Sequence, residues 1–169
     1  AFVQKQGGEL FQSPHWGDFQ KKVSGRGAFW GLGVKIKGKW VASVLLIQQK
    51  LPLGLCWLSI ARGPLFAEKE KAPVLWGVLW AEIYRIAFEQ KAVFLRVEPG
   101  EGCPLAFEGK GWRVAHAHYQ PEWTLRVDLR LSEDEILKQM ESKGRYNVRL
   151  AERKGVTVRM TSDPADAAH

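Results

Sequence analysis

The sequence predicts an α/β domain built on a mixed sheet, and three observations carry that reading. Short apolar or alternating runs mark strands, as in "LGVKIKGKWVASVLLIQQK", "LCWLSIA" and "AVFLRVEP". One long run, residues 72–90, instead repeats its apolar residues at helical spacing. The elements alternate in the order helix, three strands, helix, further strands, helix, strand, which calls for helices packed on a sheet.

The first helix opens in "QSPHWGDFQKKV": Ser13 caps it, Pro14 takes the first helical position, and Trp16, Phe19 and Val23 share a face. "GRGAFWG" lacks the spacing of a dinucleotide-binding fingerprint and precedes a strand instead of a helix, so it reads as a loop. Val34 and Ile36 then alternate with Lys35 and Lys37, Gly38 turns the chain, and the following run is apolar on both faces, giving a hairpin that leads into a central strand. "LCWLSIA" is the third strand, stopped at Gly63 and Pro64.

In the long helix Leu75, Leu79, Ile83 and Ile86 form the sheet-facing stripe, with Trp76 and Trp80 beside it. "AVFLRVEP" follows as a strand, and "RVAHAHY" and "EWTLRVDL" read as two more. Ser132 and Glu135 make a capping box for the last helix, which the acidic Glu133, Asp134 and Glu135 also suit, and Gly155 ends it before the strand "VTVRM". Asp163 and Pro164 start another helix, which suggests that the chain continues into more structure.

The 169 residues carry 25 Lys and Arg against 18 Asp and Glu, a net charge of +7 that favours acidic partners: nucleic acid, nucleotide phosphates or an anionic membrane surface. Two cysteines, Cys56 and Cys103, are too few for a disulfide framework or a zinc site, and a reducing cytoplasm fits them best. The apolar run from Val41 to Ile47 falls far short of the roughly 20 residues of a spanning helix. His116 and His118 share a strand face but have no companion ligands, so no metal site is expected.

Much of the charge excess lies between Lys138 and Arg159, where seven basic residues face only Glu141 and Glu152. Arg145, Arg149 and Arg153, four apart, fall on one side of a helix, either as a solvated face or as a set of guanidinium forks for phosphate oxygens. Glu98 ends an apolar strand directly before Pro99, and strand ends in open α/β sheets are where ligands commonly sit.

Five segments in order, "QSPHWGDFQK", "RGPLF", "FLRVEP", "QPEWTLRVDL" and "SKGRYNVRLAERKGVTV", resemble the FemABX family of peptidoglycan bridge-forming aminoacyltransferases, over about residues 9–162. The resemblance implies a GNAT-like acyltransferase fold with a largely antiparallel mixed sheet, residues 1–162 forming the N-terminal GNAT-like subdomain and 163–169 the start of a following helix. It implies transfer of an amino acid from aminoacyl-tRNA to the stem peptide of lipid II or UDP-MurNAc-pentapeptide, in the cytoplasm, with a second subdomain needed for activity. No cofactor is implied, and no acetyl-CoA, whose pyrophosphate loop is absent.

Position by position, the resemblance puts Glu98 near the acceptor amine, where a carboxylate can orient or deprotonate the ammonium. Within the matched segments Trp16, Gln20, Lys21, Arg62, Arg96, Arg145 and Arg149 are the substrate-binding candidates, with Gln20 standing where relatives carry a phosphate-binding Lys. A peripheral contact with the inner face of the membrane and a homodimer through an exposed strand edge near 156–160 complete the expected partners. Two other functions fit the residues: a non-catalytic module docking RNA or another polyanion on the basic helix, and a single-domain acyl-CoA N-acyltransferase.

Overall fold

A computed structural model describes residues 2–109, 111–121, 123 and 125–161. It divides into two compact units, residues 1–122 and 123–169. The first unit carries the sheet. Its strands are β1 (Arg26–Ile36), β2 (Lys39–Lys50), β3 (Cys56–Ala61), β4 (Leu65–Phe66) and β5 (Ala92–Glu98), and its helices are α1 (Phe2–Lys5), α2 (Pro14–Lys21) and α3 (Ala72–Glu89).

The sheet order is β1-β2-β3-β5, with β4 beside β2. All pairings are antiparallel except β3 with β5, which run parallel because α3 carries the chain back between them. Strand parity divides the sheet into two faces. Leu46, Leu58 and Ile60, each at most 1% exposed, meet Leu75, Leu79, Ile83 and Ile86 of α3 in the core. Trp76 is half-buried against this core, whereas Trp80 is 36% exposed. The opposite face, with Ile47, Gln49, Ser59, Ala61 and Glu98, borders a cleft.

Two local devices shape the cleft face. Gly17 of α2 sits so close to β1 that a Cβ there would lie 2.4 Å from the Phe29 ring, so only glycine allows the helix to settle on the strand. The β2–β3 ladder ends at Ile47 and Ser59, and β4 takes over beside Ser43. Gln12, 4% exposed, fills the splay: its Nε2 donates to the Ala61 carbonyl at 2.7 Å and its Oε1 accepts from the Leu45 N–H at 2.9 Å.

The second unit holds α4 (Glu133–Gln139) and α5 (Ser142–Arg153), and its described residues include none that is fully buried. The capping box of Ser132 and Glu135 forms as the sequence predicts.

Five expectations change. The segment "GRGAFWG" is strand from Arg26, not loop: the ladder is bulged between Arg26 and Phe29, and Gly27 leaves room for the Gln48 side chain, whose Oε1 accepts from the Ala28 N–H. Phe19 is 55% exposed, since α2 buries Gly17 and Gln20 instead. One helix over 133–154 becomes two, with Met140 and Glu141 extended between them and Ser142 and Gly144, weak helix formers, opening the second.

The fourth change is that "RVAHAHY", and the described part of "EWTLRVDL", form no strand. In the first of these, backbone groups that a ladder would use are taken by side chains of the cleft, and its Ala and His residues pack weakly on a pleated surface. The fifth is "VTVRM", which is irregular because no described strand pairs with it, and an unpaired strand is not stable in water. The cap at Asp163 and Pro164 lies outside the described residues.

Candidate functional site

Glu98 is the centre of the cleft. It closes β5 on the cleft face, and its side chain is 16% exposed. Arg96, two residues earlier on the same face, donates from Nη2 to Glu98 Oε1 at 2.9 Å and from Nε at 3.1 Å. The backbone N–H groups of Tyr119 and Gln120 also donate to the carboxylate, the latter to Oε2 at 2.8 Å. Arg96 continues to the Ala117 carbonyl. Residues 117–121 therefore form a strap held across the end of β5 by one ion pair.

Arg62, just past β3, takes a left-handed conformation at φ 54°, donates its backbone N–H to the Glu98 carbonyl at 2.7 Å and its Nη2 to the Pro121 carbonyl at 2.7 Å. Its Nε lies 3.9 Å from the Glu9 carboxylate. Arg62 thus ties the end of β3 to β5 and to the strap.

The cleft, about 280 Å³, is lined by Trp16, Gln20, Arg26, Gln49, Ser59, Arg96, Glu98, Tyr119 and Gln120 among others. Trp16 is aimed by its cap, the Trp16 N–H donating to Ser13 Oγ at 3.2 Å, and by edge-on packing against Phe11 at 4.9 Å. Buried Gln49 and Ser59 hydrogen-bond to each other at 3.0 Å in the floor. Arg26 and Arg96 stand 5.4 and 5.9 Å from the centre of the Tyr119 ring, cation–π contacts that give the rim positive charge. A second cavity, about 660 Å³, lies against Arg62, Arg96 and Glu98 and runs to Phe94, Trp112 and His118.

Of the candidates read from sequence, Trp16, Gln20, Arg96 and Glu98 meet in one cleft, and Arg62 joins them through Glu98. Lys21 is exposed on the last turn of α2 and does not line the cleft. Arg145 and Arg149 belong to the second unit. There Arg145 Nη1 donates to the carbonyls of Leu137, Lys138 and Met140, capping the C-terminal end of α4, while Arg149 is exposed. Among the described residues no cluster of three or more His, Cys, Asp or Glu side chains could hold a metal, and no helix is long and apolar enough to cross a membrane.

Sequence reading missed Arg26, Gln49, Ser59, Tyr119 and Gln120. Gln49 and Ser59 carried a signal, as polar residues inside largely apolar strands. Tyr119 and Gln120 carried none, since they contribute backbone N–H groups to Glu98.

Comparison with known proteins places this geometry. A model of the FemAB family matches residues 103–165. Lipid II:glycine glycyltransferase of Staphylococcus aureus is 27% identical over 173 residues, 94% of this chain and 40% of the relative. The enzyme of the same name from strain MRSA252 is 29% identical over 176 residues, again 94% and 40%. A crystal structure of FemX superposes with a TM-score of 0.64 and 25% identity, over 89% of this chain and 40% of that one. In sequence and in fold the chain is thus similar to proteins of the FemAB family. The chain spans about 40% of the length of the curated relatives it matches.

Proposed function

We propose that this chain is the N-terminal GNAT-like part of an aminoacyltransferase that moves an amino acid from aminoacyl-tRNA to an amino group on the stem peptide of a peptidoglycan precursor. The observation that carries the reading is Glu98, a carboxylate fixed by Arg96 and two backbone N–H groups in a cleft with Trp16 and Gln20. The relatives' name, lipid II:glycine glycyltransferase, supports lipid II as acceptor, with UDP-MurNAc-pentapeptide as the soluble alternative.

The acceptor amine arrives as an ammonium and must lose a proton before its lone pair attacks the ester carbonyl. Glu98 stands where it can attract that ammonium and orient it. The new C–N bond forms as the ester C–O bond breaks, and the 3′ oxygen of the tRNA leaves with a proton. Arg26 and Arg96 give the rim the charge needed to hold phosphate or carboxylate groups of the acceptor. The reaction needs no cofactor beyond the two substrates, and coenzyme A has no place in it.

The test is incubation of the whole polypeptide with aminoacyl-tRNA, labelled in the amino acid, and with lipid II or the UDP-linked precursor. A product heavier by one aminoacyl residue is expected, lost in Glu98→Gln. Transfer from an acyl-CoA instead would overturn the reading. A second reading, a polyanion-docking module, is favoured by exposed Arg149 on α5, and retained tRNA binding without any transfer would support it.

A further inference from the structure

The turn between β2 and β3, "LPLGL" at residues 51–55, contains no polar side chain and stands at the outer end of the sheet. It is a built feature: the Leu51 N–H donates to the Leu55 carbonyl at 2.9 Å and the Leu55 N–H to the Pro52 carbonyl at 3.3 Å. Leu53 at its tip is 96% exposed and held at φ 61°, a left-handed conformation that a branched apolar residue adopts only at a steric cost. The ladder row Lys50, Cys56, Ala92 brings the C-terminal end of α3 to the same place, with Phe88 80% exposed. Lys50 and Lys91, both exposed, flank the turn at its base. The acidic neighbour there, Glu89, is paired with Arg85.

We propose that this turn is a membrane-contact tip that sets Leu53, Leu55 and Phe88 into the interface of an anionic bilayer, with Lys50 and Lys91 at the level of the lipid phosphates. Two features favour a lipid surface over a protein partner. The apolar tip is convex and small, suited to the acyl boundary about 5–10 Å below the headgroups, and the cations stand behind it where those headgroups would be. The arrangement also sets a distance: from the Lys50–Cys56–Ala92 row to the Ala61–Glu98 row is five residues of strand, about 17 Å at roughly 3.3 Å per residue. Resting on the acyl-transfer reading, that span favours an acceptor anchored in the same bilayer, its amine standing off the surface. Binding to lipid is measured without turnover, so the two ideas fail separately.

The experiment is co-sedimentation of the full chain with phosphatidylglycerol-rich vesicles and with pure phosphatidylcholine vesicles. The full chain should bind the anionic vesicles preferentially. Leu53→Ser should weaken that binding about tenfold. Lys50→Gln with Lys91→Gln should weaken it about tenfold on anionic vesicles and leave the residual binding to neutral ones unchanged. Far-UV circular dichroism of each variant should match the parent. Leu53→Cys in a Cys103→Ser background, labelled with an environment-sensitive dye, should shift to the blue on vesicle addition. The proposal is overturned if the parent chain ignores vesicles, if these variants bind as the parent does, or if Leu53→Ser changes only the oligomeric mass in the absence of lipid, which would make the tip a contact between copies.

Discussion

The backbone N–H of Gln120 donates to Glu98 Oε2 at 2.8 Å, so the acid that the sequence marks as a reactive candidate also anchors the strap over its own cleft. Four donors, two from Arg96 and two from the backbone, converge on this one carboxylate, so its side chain is committed to holding the strap.

Replacing Glu98 by Gln removes the charge and turns one acceptor into a donor facing donors. Amide hydrogen exchange at Tyr119 and Gln120 should speed up, and turnover of the whole polypeptide should fall by about 10²–10⁴ if the group handles the acceptor proton. Glu98→Asp should recover part of the exchange protection without equal recovery of turnover. If exchange is unchanged while turnover falls, Glu98 has no anchoring role.

Gln12→Ala should cost about 2–4 kcal/mol in urea unfolding, because it leaves the Leu45 N–H and the Ala61 carbonyl without their partner in the splay between β2 and β3. A loss below about 0.5 kcal/mol, the usual level for a surface change, would mean that water replaces the side chain fully.

Arg145 and Arg149 should separate. Arg145→Ala removes the cap from the α4 carbonyls and should lower the helical signal of the 123–169 unit. Arg149→Ala should leave that signal intact and reduce the salt slope of tRNA binding by about 1. Equal effects of both on binding, with no structural change, would return Arg145 to the phosphate-binding role that its helical spacing with Arg149 suggests.

The Glu135 carboxyl is held below its ordinary range by the Ser132 hydroxyl and then the Ser132 backbone N–H. A depressed carboxyl contributes stability that is fully present above its unfolded value and is lost as pH falls through the lower folded one. Helix α4 should therefore keep its cap at neutral pH and loosen only in acid, below the usual Glu range. An NMR titration of the Glu135 side chain checks this, and Glu135→Gln should remove that step.

The sequence by itself determined the parts whose physics is local. The stripe of α3, the capping of α2 by Ser13 and of α4 by Ser132, and the strands β2, β3 and β5 follow from periodicity and side-chain chemistry within a few residues. Glu98 was legible because it ends an apolar strand before a proline. Only the tertiary structure decided what surrounds it. That Gln12 bridges a splay, that Gln49 and Ser59 share the cleft floor, and that residues 117–121 give their backbone to Glu98, Arg96 and Arg62 are all long-range matters. "RVAHAHY" alternates like a strand, yet Arg96 and Glu98, which claim its Ala117 carbonyl and Tyr119 N–H, lie more than 20 residues away. A pattern of side chains says which face is apolar; it does not say which partner completes the hydrogen bonds.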